Sequence, residues 1–121
     1  MSLQRALRLG MSVLLGAGVF CSSGCGPSSV GEEGDLVGGP CIDGSDCEPT
    51  SMCRVDPSLP GGMCTLGCTG PTDCPDGSVC VTHLGGLCML DCDEADDCRD
   101  GYSCQTRPRA GAVGDVMVCV N

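Results

Sequence analysis

The chain has 121 residues, a formal net charge of −10, twenty glycines, fourteen cysteines and two aromatic residues, Phe20 and Tyr102. A chain so poor in large apolar side chains does not fill a conventional core, and domains this small bury too little apolar surface to offset chain entropy without cross-links. With sixteen acidic residues and no lysine it repels phosphate backbones, which excludes nucleic acid as a partner.

Arg5 and Arg8 precede an apolar run at residues 11–20 (MSVLLGAGVF), and small residues follow. The run is too short to span a bilayer as a helix, so residues 1–24 read as a secretory signal peptide. Ser22-Ser23-Gly24-Cys25 is similar to a bacterial lipobox, with Ser22 where leucine is usual. Cysteine parity favours lipidation of Cys25: Cys21 leaves with the signal and twelve cysteines remain to pair. Residues 25–40 are then expected to form a lipid-anchored flexible tether, since GPSSVGEEGDLVGGP has no apolar periodicity.

The twelve remaining cysteines repeat one frame, C-x5-C-x5-C, a variable gap, then a fourth cysteine. Residues 41–67 hold Cys41, Cys47, Cys53 and Cys64; residues 68–91 hold Cys68, Cys74, Cys80 and Cys88. The third copy, residues 92–121, holds Cys92, Cys98, Cys104 and Cys119. Fixed short spacings beside variable loops mark a disulfide framework, which persists in oxidising, extracytoplasmic compartments. An aspartate precedes each second cysteine (Asp46, Asp73, Asp97), and turn formers follow it. Short β-leaning runs carry the third and fourth cysteines: 52–55 and 63–66, 79–82 and 87–90, 102–106 and 116–120. They are expected to pair as hairpins, turning at Gly61-Gly62, at Gly85-Gly86 and through residues 109–114.

Four cysteines allow three pairings per unit. A third-to-fourth bridge would cross the hairpin and leave the N-terminal loop closed only on itself. First-to-third with second-to-fourth ties that loop to both strands, so the expected bridges are Cys41–Cys53, Cys47–Cys64, Cys68–Cys80, Cys74–Cys88, Cys92–Cys104 and Cys98–Cys119. The fold class is therefore small and disulfide-rich, three tandem cysteine-knotted β-hairpin units with little regular secondary structure and no helical domain after the signal peptide. Units this small are expected to stack as an elongated rod.

Segments such as Cys68-TGPTD-Cys74-PDGSV-Cys80 resemble the cysteine-rich tandem repeats of exported bacterial proteins, myxobacterial-type lipoproteins especially. The spacing also resembles the N-terminal Dickkopf-like domain and, more distantly, half of a whey-acidic-protein domain, whose adjacent cysteines are missing here. The resemblance implies fold and localisation: exported, lipid-anchored in the outer membrane or at the cell surface, alternatively secreted.

Candidate chemistry is sparse. There is no C-x2-C, so the zinc-ribbon and thioredoxin spacings are missing, and His83 is the single histidine. Asp93, Glu94, Asp96 and Asp97 in DCDEADDC offer hard oxygen ligands for a weak calcium site, without the glycine and terminal glutamate of an EF-hand loop. The segment Arg107-Pro108-Arg109-Ala110-Gly111 holds a candidate inhibitor loop in which Arg109-Ala110 mimics a cleavage bond. No catalytic residue, metal site or cofactor is assigned. The expectation is a non-enzymatic, monomeric exported lipoprotein displaying a binding or structural module. Its partner is cationic or another protein, and it meets the membrane through its lipid; the alternative is a protease inhibitor.

Overall fold

The computed structural model describes residues 29–121. The segment read as a signal peptide and the candidate lipidation site Cys25 lie outside the described residues. Among the described residues six strands form three antiparallel hairpins, one per cysteine quartet: β1 Met52–Asp56 with β2 Leu59–Thr65, β3 Ser78–Val81 with β4 Leu87–Leu90, and β5 Ser103–Pro108 with β6 Asp115–Val120. Among the described residues the helical elements are three single 3-10 turns, Gly44–Asp46, His83–Gly85 and Ala95–Asp97. None is long and apolar enough to cross a membrane.

Each hairpin places its third and fourth cysteines opposite one another: Cys53 faces Cys64, Cys80 faces Cys88, and Cys104 faces Cys119. Those facing pairs are not bonded to each other. The bridges are Cys41–Cys53 and Cys47–Cys64, Cys68–Cys80 and Cys74–Cys88, Cys92–Cys104 and Cys98–Cys119. Among the described residues no cysteine is free. The N-terminal loop of each unit is thus stapled to both strands of its hairpin.

The chain leading into each unit runs beside the second strand and is held to it by backbone hydrogen bonds. In the first unit Gly38 N–H donates to Cys64 O (2.8 Å), Cys64 N–H to Gly39 O (2.9 Å) and Cys41 N–H to Gly61 O (3.3 Å). In the second, Cys88 N–H donates to Leu66 O and Cys68 N–H to Gly86 O; in the third, Cys92 N–H donates to Met117 O. The close approach requires glycine. A Cβ on Gly62 would collide with Cys41 O, and one on Gly86 would collide with Cys68 O.

That requirement corrects the first expected hairpin. Its turn is Pro57-Ser58, flanked by the Asp56–Leu59 pair, while Gly61 and Gly62 lie inside β2. Asp56 Oδ1 accepts from Ser58 N–H (2.9 Å), an Asx turn that competes successfully with Gly-Gly for the reversal. Gly62 serves the neighbouring backbone, not the turn. The second connection does run through Gly85 and Gly86, and the third through residues 109–114.

Two further expectations are overturned. Within the segment read as a flexible tether, residues 29–40 are folded: Val30 bridges to Val37, Gly31 N–H donates to Val37 O (3.0 Å), and Val37 is fully buried. Val37 belongs to the apolar cluster that the units share, which a search for periodicity over one short run does not detect. Nor do the units form a rod. One apolar cluster draws on all three, with Leu59 and Met63 from the first, Val81, Leu87 and Met89 from the second, and Val118 and Val120 from the third. Burying each such side chain contributes about 2 kcal/mol before entropy is counted, so the covalent staples work with a shared core. Cys41, Cys47 and Cys64 form a small separate cluster.

The first and third units touch directly. Arg99 Nη1 donates to Gly38 O (2.9 Å), and Nη2 lies within hydrogen-bond reach of Pro60 O (2.6 Å), Gly62 O (2.5 Å) and Tyr102 Oη (2.9 Å). Its guanidinium sits 4.6 Å from the centre of the Tyr102 ring. Asn121 N–H adds a bond to Ser58 O (3.0 Å). Contacts between first and third units close a ring that a linear stack would leave open.

Candidate functional site

The repeated chemistry sits in the three loops between first and second cysteines. Asp46 Oδ2 accepts from Ile42 and Asp43 N–H (2.8 and 3.3 Å), and Asp73 Oδ2 from Thr69 and Gly70 N–H (2.9 and 3.0 Å). Asp97 Oδ2 accepts from Asp93 and Glu94 N–H (2.8 and 3.1 Å). The aspartate before each second cysteine therefore closes its own loop and sets the position of two cysteines for bridging. Backbone donors stabilise the ionised form: the Thr69 N–H above all holds Asp73 below the ordinary carboxylate value, and the Asp93 and Glu94 N–H groups do the same for Asp97.

This arrangement decides where the calcium candidates fall. Asp97 is turned to the backbone, and no three of Asp93, Glu94, Asp96 and Asp97 bring oxygen atoms within 4.8 Å of one another. Among the described residues the trios that do converge are cysteine sulfurs: Cys41, Cys47 and Cys64; Cys68, Cys74 and Cys88; Cys92, Cys98 and Cys119. All of these are in disulfides.

The inhibitor candidates lie at the tip of the third hairpin, and that tip is paired. Arg109 faces Val81 across an antiparallel bridge. Thr82 N–H donates to Pro108 O (3.1 Å), Ala110 N–H to Cys80 O (3.0 Å) and Arg109 N–H to Gly114 O (3.0 Å). Arg107 and Pro108 belong to β5, and a Cβ on Gly111 would collide with Thr69 O. The backbone N–H groups of Arg109 and Ala110 are already engaged within the molecule.

His83 acquires neighbours that no spacing in the chain indicates. Its Nε2 is 2.8 Å from Ser58 Oγ, and Ser58 Oγ is 2.7 Å from Asp56 Oδ1. A carboxylate only accepts, so the single hydroxyl proton of Ser58 points to Asp56 and the His83 Nε2–H donates to Ser58. A histidine whose Nε2 carries the proton cannot take one from that serine, and Asp56 sits on the serine where a triad would place it on the imidazole. The trio is a latch between the first two hairpin tips. Comparison with known protein families, curated proteins and solved structures finds no match to this chain.

Partial burial, then the Arg107 and Arg54 charges, lower the His83 pKa from its ordinary 6.5, against an opposing pull from Asp56. A group whose folded pKa is depressed contributes stability that is present above the unfolded value and lost as pH falls through the folded one. Melting temperature is therefore expected to decline gently as pH drops below about 6.5, and His83→Gln is expected to flatten that limb. A second acid limb belongs to Asp56, Asp73 and Asp97, whose pKa values are lowered and whose contribution disappears below the ordinary carboxylate range. Identical profiles for the parent and the His83→Gln variant between about pH 7.5 and 5, the range in which histidine titrates, would show that the latch does not sense protonation.

Glu32, Glu33, Pro40, Arg99 and Asp100 line an open depression of about 330 Å³ between the folded N-terminal segment and the third unit. Arg99 spends its donors on carbonyls and Tyr102, so the charges facing solvent there are carboxylates.

Proposed function

We propose that the protein is an exported, non-enzymatic lipoprotein that displays a disulfide-stapled binding or structural module in the periplasm or at the cell surface. The observation that carries this reading is the pairing of every cysteine from Cys41 to Cys119 within its own quartet. Such a framework is made and kept in oxidising compartments. A leader with a basic start and an apolar run, ahead of a lipobox-like Cys25, supports export and anchoring. The acidic surface favours cationic or protein partners over nucleic acid.

Intact mass of the protein from its membrane fraction, with and without alkylation, tests both halves together. The expected result is a diacyl or triacyl increment on a chain starting at Cys25 and no alkylation before reduction. Globomycin should block the processing. A chain without acyl mass in the medium overturns the anchor; alkylation of the native protein overturns the fully bridged, extracytoplasmic reading.

A further inference from the structure

We infer that the third quartet is a site of thiol–disulfide exchange, opened through the Cys92–Cys104 bridge by a small thiol, with a preference for a cationic one. In all three units the first cysteine's sulfur lies within 4.8 Å of both sulfurs of the second-to-fourth bridge. The three quartets differ in access. Cys92 and Cys104 are both half-buried. Every other bridge has at least one buried cysteine, with Cys41 at 6 %, Cys64 at 0 %, Cys68 at 7 %, Cys88 at 0 % and Cys119 at 4 % exposure. Exchange requires a thiolate to reach a sulfur, so an external thiol meets Cys92–Cys104 first.

The steps balance without an oxidant. A monothiolate attacks Cys104 Sγ, forming a mixed disulfide there and releasing Cys92 as the thiolate. Cys92 Sγ, within 4.8 Å of Cys98 and Cys119, attacks Cys98; the Cys98–Cys119 bond breaks and Cys119 leaves as the thiolate. Cys119, opposite Cys104 in the hairpin register, attacks Cys104 Sγ and expels the original thiol. Two disulfides remain, now Cys92–Cys98 and Cys104–Cys119, and the thiol is regenerated. In that isomer the N-terminal loop closes on itself and is freed from the hairpin. Arg99, next to Cys98, is the residue through which this loosening reaches the first unit.

Charge sets the preference. Cys92 is flanked by Asp91, Asp93 and Glu94, with Asp96 and Asp97 in the same loop. Exposed charges of one sign concentrate oppositely charged reagents, and salt removes the advantage.

The test treats the native protein anaerobically with cysteamine, 2-mercaptoethanol or mercaptoacetate, followed by acid quench, alkylation and disulfide mapping. Cys92–Cys98 and Cys104–Cys119 are expected to appear first, with the first two quartets unchanged. Cysteamine is expected to act roughly tenfold faster than mercaptoacetate at low ionic strength, after correction for thiol pKa, and the two should converge in high salt. First exchange in another quartet, or a mixed disulfide on the third that leaves Cys98–Cys119 intact, overturns the site. Equal corrected rates for the two thiols overturn the cationic preference.

Discussion

Arg99→Ala is expected to cost about 3 kcal/mol, because hydrogen bonds from a charged donor are worth about 1.5–3 kcal/mol each and partly buried carbonyls lose their partner. The guanidinium joins the Gly38 carbonyl of the folded N-terminal segment and the Pro60 and Gly62 carbonyls of the first unit to Tyr102 of the third. In a domain of this size the loss corresponds to a fall in melting temperature of roughly 15 °C. Arg99→Lys should recover less than half, since an ammonium lacks the planar fork that reaches separated acceptors. Tyr102→Phe removes one acceptor and keeps the ring beneath the cation, so its effect should be small. A melting temperature for Arg99→Ala within about 2 °C of the parent would show that the closed ring holds without its clasp.

Replacing Cys47 and Cys64 together by serine is expected to have the larger effect and to prevent recovery of a folded monomer. Loop closure alone assigns the bridge about 3 kcal/mol for its separation of 17 residues. On that basis the bridges hardly differ: separations of 12 and 21 residues change the figure by only about 0.5 kcal/mol. Burial decides the order. Cys64 is fully buried, so serine there leaves a hydroxyl without water at a position built for sulfur. Cys92→Ser with Cys104→Ser changes two half-buried positions and should leave a folded protein of reduced stability. Circular dichroism, thermal melting and amide dispersion separate the two outcomes; equal losses from both double variants would mean that burial does not rank the bridges.

The hairpins, their cysteine register and the closing role of turn residues were legible because a repeat of fixed spacing is a local signal. Asp46, Asp73 and Asp97 stood out by position, although only the structure assigns them to the backbone of their own loops. Arg99, His83 and Val37 were not legible in this way. Each acts across a unit boundary, and separations of 61 residues for Arg99 to Gly38 or 25 for Ser58 to His83 leave no periodic trace. The misplaced first turn has a different cause: glycine serves both reversals and close backbone approach, and Gly61-Gly62 presents the same letters for either. The closed arrangement of units was hidden for a related reason, since it rests on a few Leu, Met and Val side chains from each repeat.

The folding of residues 29–40 onto the body changes how far the module can stand from its anchor. If Cys25 carries lipid, the described fold begins at Ser29, four residues later. Four residues at full extension reach at most about 14 Å, the scale of a headgroup layer rather than of an arm. The body would lie low on the leaflet, held on the side where Val30 sits beside Gly77 of the second unit, so a large partner would have to approach from the opposite side.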